Sequence, residues 1–145
     1  MRALAICTIF FMFTFISLYV LFRPFPFDMA NLDSPPVGSF ECFGTFSTFT
    51  AAVTVRIFLS HGRFRADATN LAAPQMAVHD VEQDGRLYAW SDGAERGDVI
   101  PARGAFKATP ANELPDPIVE CHRVFYLDPH LFDLPNNVHF ESLSL

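Results

Sequence analysis

A hydroxyl and an imidazole stand side by side at Ser60-His61, and a carboxylate alternates with an imidazole at Glu120–His122 and again at His139–Glu141. Alternate residues of a strand share a face, so each Glu/His pair could begin a zinc site. A serine becomes a nucleophile only beside a base that a third group orients, and adjacency in a turn does not supply that. No H-E-x-x-H or C-x-x-C occurs, and no G-x-S-x-G, P-loop or dinucleotide fingerprint. The loop S-D-G-A-E-R-G-D brings Asp92, Glu95 and Asp98 together, and oxygen ligands on a loop suit calcium. Its spacing is not that of an EF-hand, and Arg96 sits among the acids. The expectation is no catalytic residue, no metal, no cofactor and no enzyme.

Other residues suit binding. Arg56, Arg63 and Arg65 surround one turn and could hold an acidic head group, because guanidinium pairs bidentately with carboxylate or phosphate. The competing reading is three outward arginines paired with Asp67 or Asp80. Tyr88 and Trp90 alternate with Ala89 on one face, beside Arg86, and could line an apolar cleft or pack a core. Tyr88, Trp90, Phe64 and Arg65 are the candidate ligand-binding residues.

Cys7 lies in an apolar run, leaving Cys42 and Cys121 as a candidate disulfide outside the cytoplasm, or else as two buried thiols. Closing so long a loop stabilises by about 4 kcal/mol in the chain-entropy model. The bridge would also consume the only thiol nucleophile available to the domain.

These groups need elements to position them. Residues 3–22 carry no charge, and twenty helical residues span about 30 Å, the thickness of a bilayer core. A cleaved signal peptide has a shorter apolar core and an A-x-A-like site, which the following residues lack. A retained signal anchor is expected over 1–22, with the very short N-terminal tail in the cytoplasm and the rest outside. Residues 23–38 hold four prolines and Gly38 and read as a linker without regular structure, followed by one domain over 39–145. All 16 acidic residues, and all of the ten basic ones but Arg2 and Arg23, follow Phe27. That acidic balance disfavours nucleic acid and anionic membrane surfaces as partners.

Within the domain a two-residue period dominates. Phe40, Cys42, Gly44 and Phe46 share a face, as do Val53, Val55, Ile57 and Leu59. Ser60–Gly62 reads as a tight turn, after which Arg63, Arg65 and Asp67 alternate with Phe64 and Ala66. A looser stretch leads to a strand over Gln75–Glu82, and Asp84-Gly85 is a strong hairpin signal before Arg86–Trp90. Residues 91–104 read as loop with one short strand. Thr109-Pro110 and Asp128-Pro129 each resemble a cap and first-turn proline. Ile118–Leu127 and Val138–Phe140 read as strands. The expected fold is mainly β: a curved antiparallel sheet or half-open β-barrel with one or two short helical turns.

Gly62, Phe64 and Arg65, followed by Asp84, Gly85 and Tyr88, resemble the "G-x-F-R" and "D-G-x-x-x-x-Y" hairpins of the periplasmic outer-membrane lipoprotein carrier family. That resemblance covers about 30 residues. It implies a half barrel whose concave face holds acyl chains under a helical lid. This chain is shorter, has little helix for a lid and carries an anchor that a soluble shuttle would not keep. An early and a late cysteine, with Leu131, Phe132, Pro135, Val138 and Phe140 as a closing string, are similar to small uncharacterised membrane-anchored bacterial extracytoplasmic proteins. The implied function is a binding module for a hydrophobic or lipid-like ligand on the concave face. The alternative is an envelope protein–protein interaction domain with no small-molecule ligand.

Overall fold

The computed structural model describes residues 23–28, 37–47, 52–102 and 118–143. They form one open, mixed sheet of nine strands in the order β1-β8-β2-β3-β4-β5-β6-β7-β9. The strands are β1 (Phe25–Asp28), β2 (Ser39–Ser47), β3 (Ala52–Ser60), β4 (Arg63–Asn70), β5 (Ala73–Gln83), β6 (Arg86–Ser91), β7 (Arg96–Pro101), β8 (Ile118–Arg123) and β9 (His139–Ser142). The single-turn 3-10 helix Pro129–Phe132 is the helical element among the described residues. The anchor segment, Cys7 and the turn expected at Thr109-Pro110 lie outside those residues. Among the described residues no helix is long and apolar enough to cross a membrane.

Two hairpins follow from local chemistry. His61-Gly62 and Asp84-Gly85 all have positive φ, at 50°, 81°, 54° and 72°. Positive φ at both central residues is the turn whose twist matches paired strands, and glycine adopts it without cost. Asp128 caps the 3-10 turn as expected, its carboxylate accepting from His130 N at 3.0 Å with Pro129 behind it.

Four elements differ from the sequence expectation. Phe25–Asp28 is not linker but the edge strand β1, paired antiparallel with β8 from Phe25↔Cys121 to Asp28↔Ile118. Proline is compatible with an edge strand, where one row of amides needs no partner. The supposed loose stretch after Asp67 is a third hairpin: β4 continues to Asn70 and β5 begins at Ala73, with a register shift at Thr69/Asn70. The Asn70 side chain accepts from Ala72 N at 2.9 Å and closes this turn without glycine. The strand expected over Ile118–Leu127 stops at Arg123. The sheet is also not wholly antiparallel, since β9 runs parallel to β7 along the other edge.

Cross-strand register sorts the side chains. Phe40 and Cys42 of β2, Ile57 and Leu59 of β3, Phe64 and Ala66 of β4, Leu87 of β6, and Val119 and Cys121 of β8 make one buried cluster. Cys42 and Cys121 sit directly opposite one another and form a disulfide across 79 residues of chain. On the other face, the 3-10 turn lies against β4, and Phe58, Val81 and Phe132 are buried.

Candidate functional site

Three hairpins in succession place β4, β5 and β6 side by side, and one ionic chain crosses them on the face away from the main core. Arg65 Nε donates to Asp67 Oδ1 at 2.8 Å, and its Nη1 donates to the carbonyl of Leu131 at 2.7 Å. The same Asp67 oxygen lies 2.8 Å from His79 Nδ1. His79 Nε2 lies 2.9 Å from Asp92 Oδ1. Asp92 belongs to the turn after β6, and its backbone N–H donates to Ala77 O at 2.9 Å while its Oδ2 accepts from Ala77 N at 3.2 Å. The turn is thus held against β5.

A neutral imidazole has one N–H and can satisfy only one of two flanking carboxylates. Both contacts are made when both ring nitrogens carry protons. Burial opposes the charged form of His79, but the hydrogen bonds to Asp67 and Asp92 outweigh it and raise the pKa above its ordinary 6.5. The same bond to His79, with the Ala77 amide, holds the Asp92 carboxyl below its usual range. The protonated ring then meets the Arg65 guanidinium at 3.3 Å, a like-charge approach that Asp67 offsets from between them.

Aromatic rings lie over this chain. His79 and Trp90 are 5.2 Å apart, and the Arg65 guanidinium lies 5.9 Å from the Trp90 ring centre. Phe140 of β9 meets Tyr88 edge-on at 5.2 Å and Trp90 at 5.9 Å. Gly97 permits this: a Cβ there would come within 2.7 Å of both the Phe140 ring and the Ala89 carbonyl.

Three of the four candidate ligand-binding residues, Arg65, Tyr88 and Trp90, therefore share a face. Phe64 does not, because strand alternation turns it into the core cluster, where it is buried. Arg65 is already engaged by Asp67 and Leu131. Arg56 pairs with Glu41, and Arg63 lies over the Phe132 ring at 4.5 Å, so the three arginines do not pool into one basic spot. The acids expected around Asp98 also separate, since Asp92 turns to His79. Among the described residues no three His, Cys, Asp or Glu side chains cluster to hold a metal. Ser60 Oγ lies 3.0 Å from His61 Nδ1 and 3.1 Å from Ser39 Oγ, and no carboxylate among the described residues orients that imidazole.

A groove of about 370 Å³ lies between the two glycine turns and the 3-10 turn, lined by Gly62, Arg63, Glu82, Gln83, Asp84, Gly85, Phe132 and Asp133. Its lining is largely polar, and it does not include Tyr88 or Trp90. On the apolar face, Asp80 lies between Ala66 and Ala89, and burial pushes its carboxyl up to about 6.

No family model, no curated protein and no solved structure matches this chain.

Sequence reasoning missed the ionic chain. Taken singly, Asp67, His79 and Asp92 suit an arginine partner, a zinc ligand and a calcium ligand. The signal that joins two of them is register: the turn at Leu71-Ala72 pairs Asn70 with Ala73, and the shift between Thr69 and Asn70 then sets Asp67 opposite His79.

Proposed function

We propose that the chain is a non-enzymatic, membrane-anchored interaction module whose β-domain stands outside the cytoplasm and meets another protein. The observation that carries this reading is the closure of the apolar face. Ile57, Val119, Cys42 and Cys121 have no solvent exposure, and all four belong to the main core cluster. A ligand module needs an open apolar cavity of about 300 Å³ or more. The described groove is large enough but polar. Large apolar side chains are exposed instead at the β4–β5 hairpin, where Leu71, Met76 and Val78 are 58%, 61% and 42% exposed. Contiguous exposed apolar residues mark a contact surface. The open sheet is read as a half barrel, because five of its strands send side chains into one cluster.

A second reading, the apolar or lipid-like ligand, is favoured by the half-buried Tyr88, Trp90 and Phe140 beside Arg65. Native mass spectrometry of the full-length chain, purified from an oxidising compartment and stripped of detergent in the gas phase, separates the two. A bare chain mass, with stable association to a second protein that Met76→Asp abolishes, supports the interaction module. An acyl species released only on unfolding returns the ligand reading.

A further inference from the structure

β1 begins at Phe25, and only Arg23 and Pro24 separate it from the uncharged residues 3–22. At up to about 3.6 Å per residue, the three steps from Phe22 to Phe25 reach at most roughly 11 Å. Because β1 is hydrogen-bonded to β8, it fixes which end of the sheet faces the end of that segment. β1 starts opposite Cys121 and runs antiparallel to β8, so the chain enters from the end where β8 finishes at Arg123. The same end carries the start of β2 and the end of β3, tied together by Val124 N donating to Ser39 O at 2.9 Å and His61 N to Gly38 O at 3.3 Å.

This end carries the most exposed large apolar side chains of the described residues. Val37, Phe125 and Tyr126 are 89%, 88% and 73% exposed, and the Arg123 guanidinium donates to the Val37 carbonyl at 3.2 Å, which joins them into one rim. Aromatic side chains with a polar tip favour the bilayer interface, where one end is apolar and the other wet. Charge agrees with this orientation. Arg23, Arg63, Arg86 and Arg123 all lie at the rim end and offset its carboxylates. The opposite end carries Asp92, Glu95, Asp98 and Glu141 against Arg96.

We infer that the rim of Val37, Phe125 and Tyr126 is a lipid-docking surface: β1 seats it on the bilayer interface, and the β4–β5 hairpin points away. The inference rests on residues 3–22 spanning the membrane. It makes the domain a rigidly oriented body on the bilayer, not one carried on a flexible tether.

The test uses the full chain in phosphatidylcholine vesicles, with a tryptophan added at either end and the native Trp90 as common background. In the Tyr126→Trp variant the added emission is expected to be blue-shifted and mostly lost when the lipids are brominated near the headgroup. In Met76→Trp it is expected to survive bromination and to be quenched by aqueous acrylamide. Alkaline extraction of the same vesicles reads the anchor separately. A chain released by alkali removes the anchor and the inference together. A Tyr126→Trp chain that resists alkali, but whose added indole responds to acrylamide and not to brominated lipid, overturns the docking inference alone. Both positions are exposed, so neither substitution disturbs packing.

Discussion

The two faces of the sheet are built from the same strands with the same alternation, yet they hold together in different ways. The main apolar face joins side chains from five strands, with a covalent bridge between two of them. The face opposite divides. Near the glycine turns, the 3-10 segment lies against β4 with its own Phe132 buried; beyond it, Arg65, Asp67, His79 and Asp92 replace packing with a charged chain under Trp90. Apolar contact is indifferent to pH and falls with lost volume, whereas the ionic chain depends on one proton and on register. Truncation should therefore hurt the first face, and titration the second.

The largest effect expected is from Phe64→Ala, which opens a cavity among Leu59, Ala66 and Leu87 and costs about 3–5 kcal/mol. Tyr88→Ala, on the half-exposed face, should cost clearly less in the same urea titration. Equal losses would erase the distinction between the faces. Next comes the bridge. Replacing Cys42 and Cys121 together by alanine should lower stability by about 4 kcal/mol in the loop-entropy account. A reduced wild-type chain that melts with the oxidised one would show that the cross-strand neighbours, not the bond, hold β8 to β2.

Asp80 sharpens the contrast, as a carboxylate on the apolar face whose ionisation burial opposes. Its folded pKa, about 6, lies above the ordinary value of 3.8, so ionisation is what the folded state disfavours. The penalty is absent below the lower value and complete above the upper one. Asp80→Asn should therefore leave stability unchanged near pH 4 and raise it at pH 8, by at most about 3 kcal/mol. Thermal melts of both chains across that range check the sign. An Asn variant that is destabilised at pH 8 would mean the carboxylate is held by a partner.

Much of the core was legible because alternation assigns Phe40 and Cys42 to one face of their strand and Ile57 and Leu59 to one face of theirs, and the register that pairs them also fits the cysteines. The two glycine turns were legible from their dipeptides. The β4–β5 hairpin was not, because Leu71-Ala72 carries no turn chemistry and the closing group is the Asn70 side chain one residue earlier. That omission hid the ionic chain, since the hairpin and the register shift at Thr69/Asn70 together set Asp67 against His79. β1 was hidden by Pro26 and the Pro24 before it, which argue for a linker unless the strand is known to lie at an edge. The parallel β7–β9 pairing left as its trace the bare Cα of Gly97, which makes sense only once Phe140 is seen above it.

The smallest effect expected comes from His79 and is the most specific to the ionic chain. Its folded pKa is raised, so the stability it contributes is fully present below its unfolded value of 6.5 and is lost as pH rises through the folded value. The side chain is only 14% exposed, and two charge-assisted hydrogen bonds depend on its second proton. His79→Gln should cost about 1–2 kcal/mol at pH 5.5 and progressively less as pH rises through the folded pKa, where the wild-type ring loses its second proton and holds one carboxylate at a time. Asp92→Asn should reproduce part of that pH dependence, because it removes one of the two negative charges that favour the protonated ring while leaving the turn's backbone bond to Ala77 in place. Following the His79 ring by NMR through the titration gives the folded pKa directly. A value at or below 6.5 would mean that burial, with the Arg65 guanidinium beside the ring, outweighs the two carboxylates.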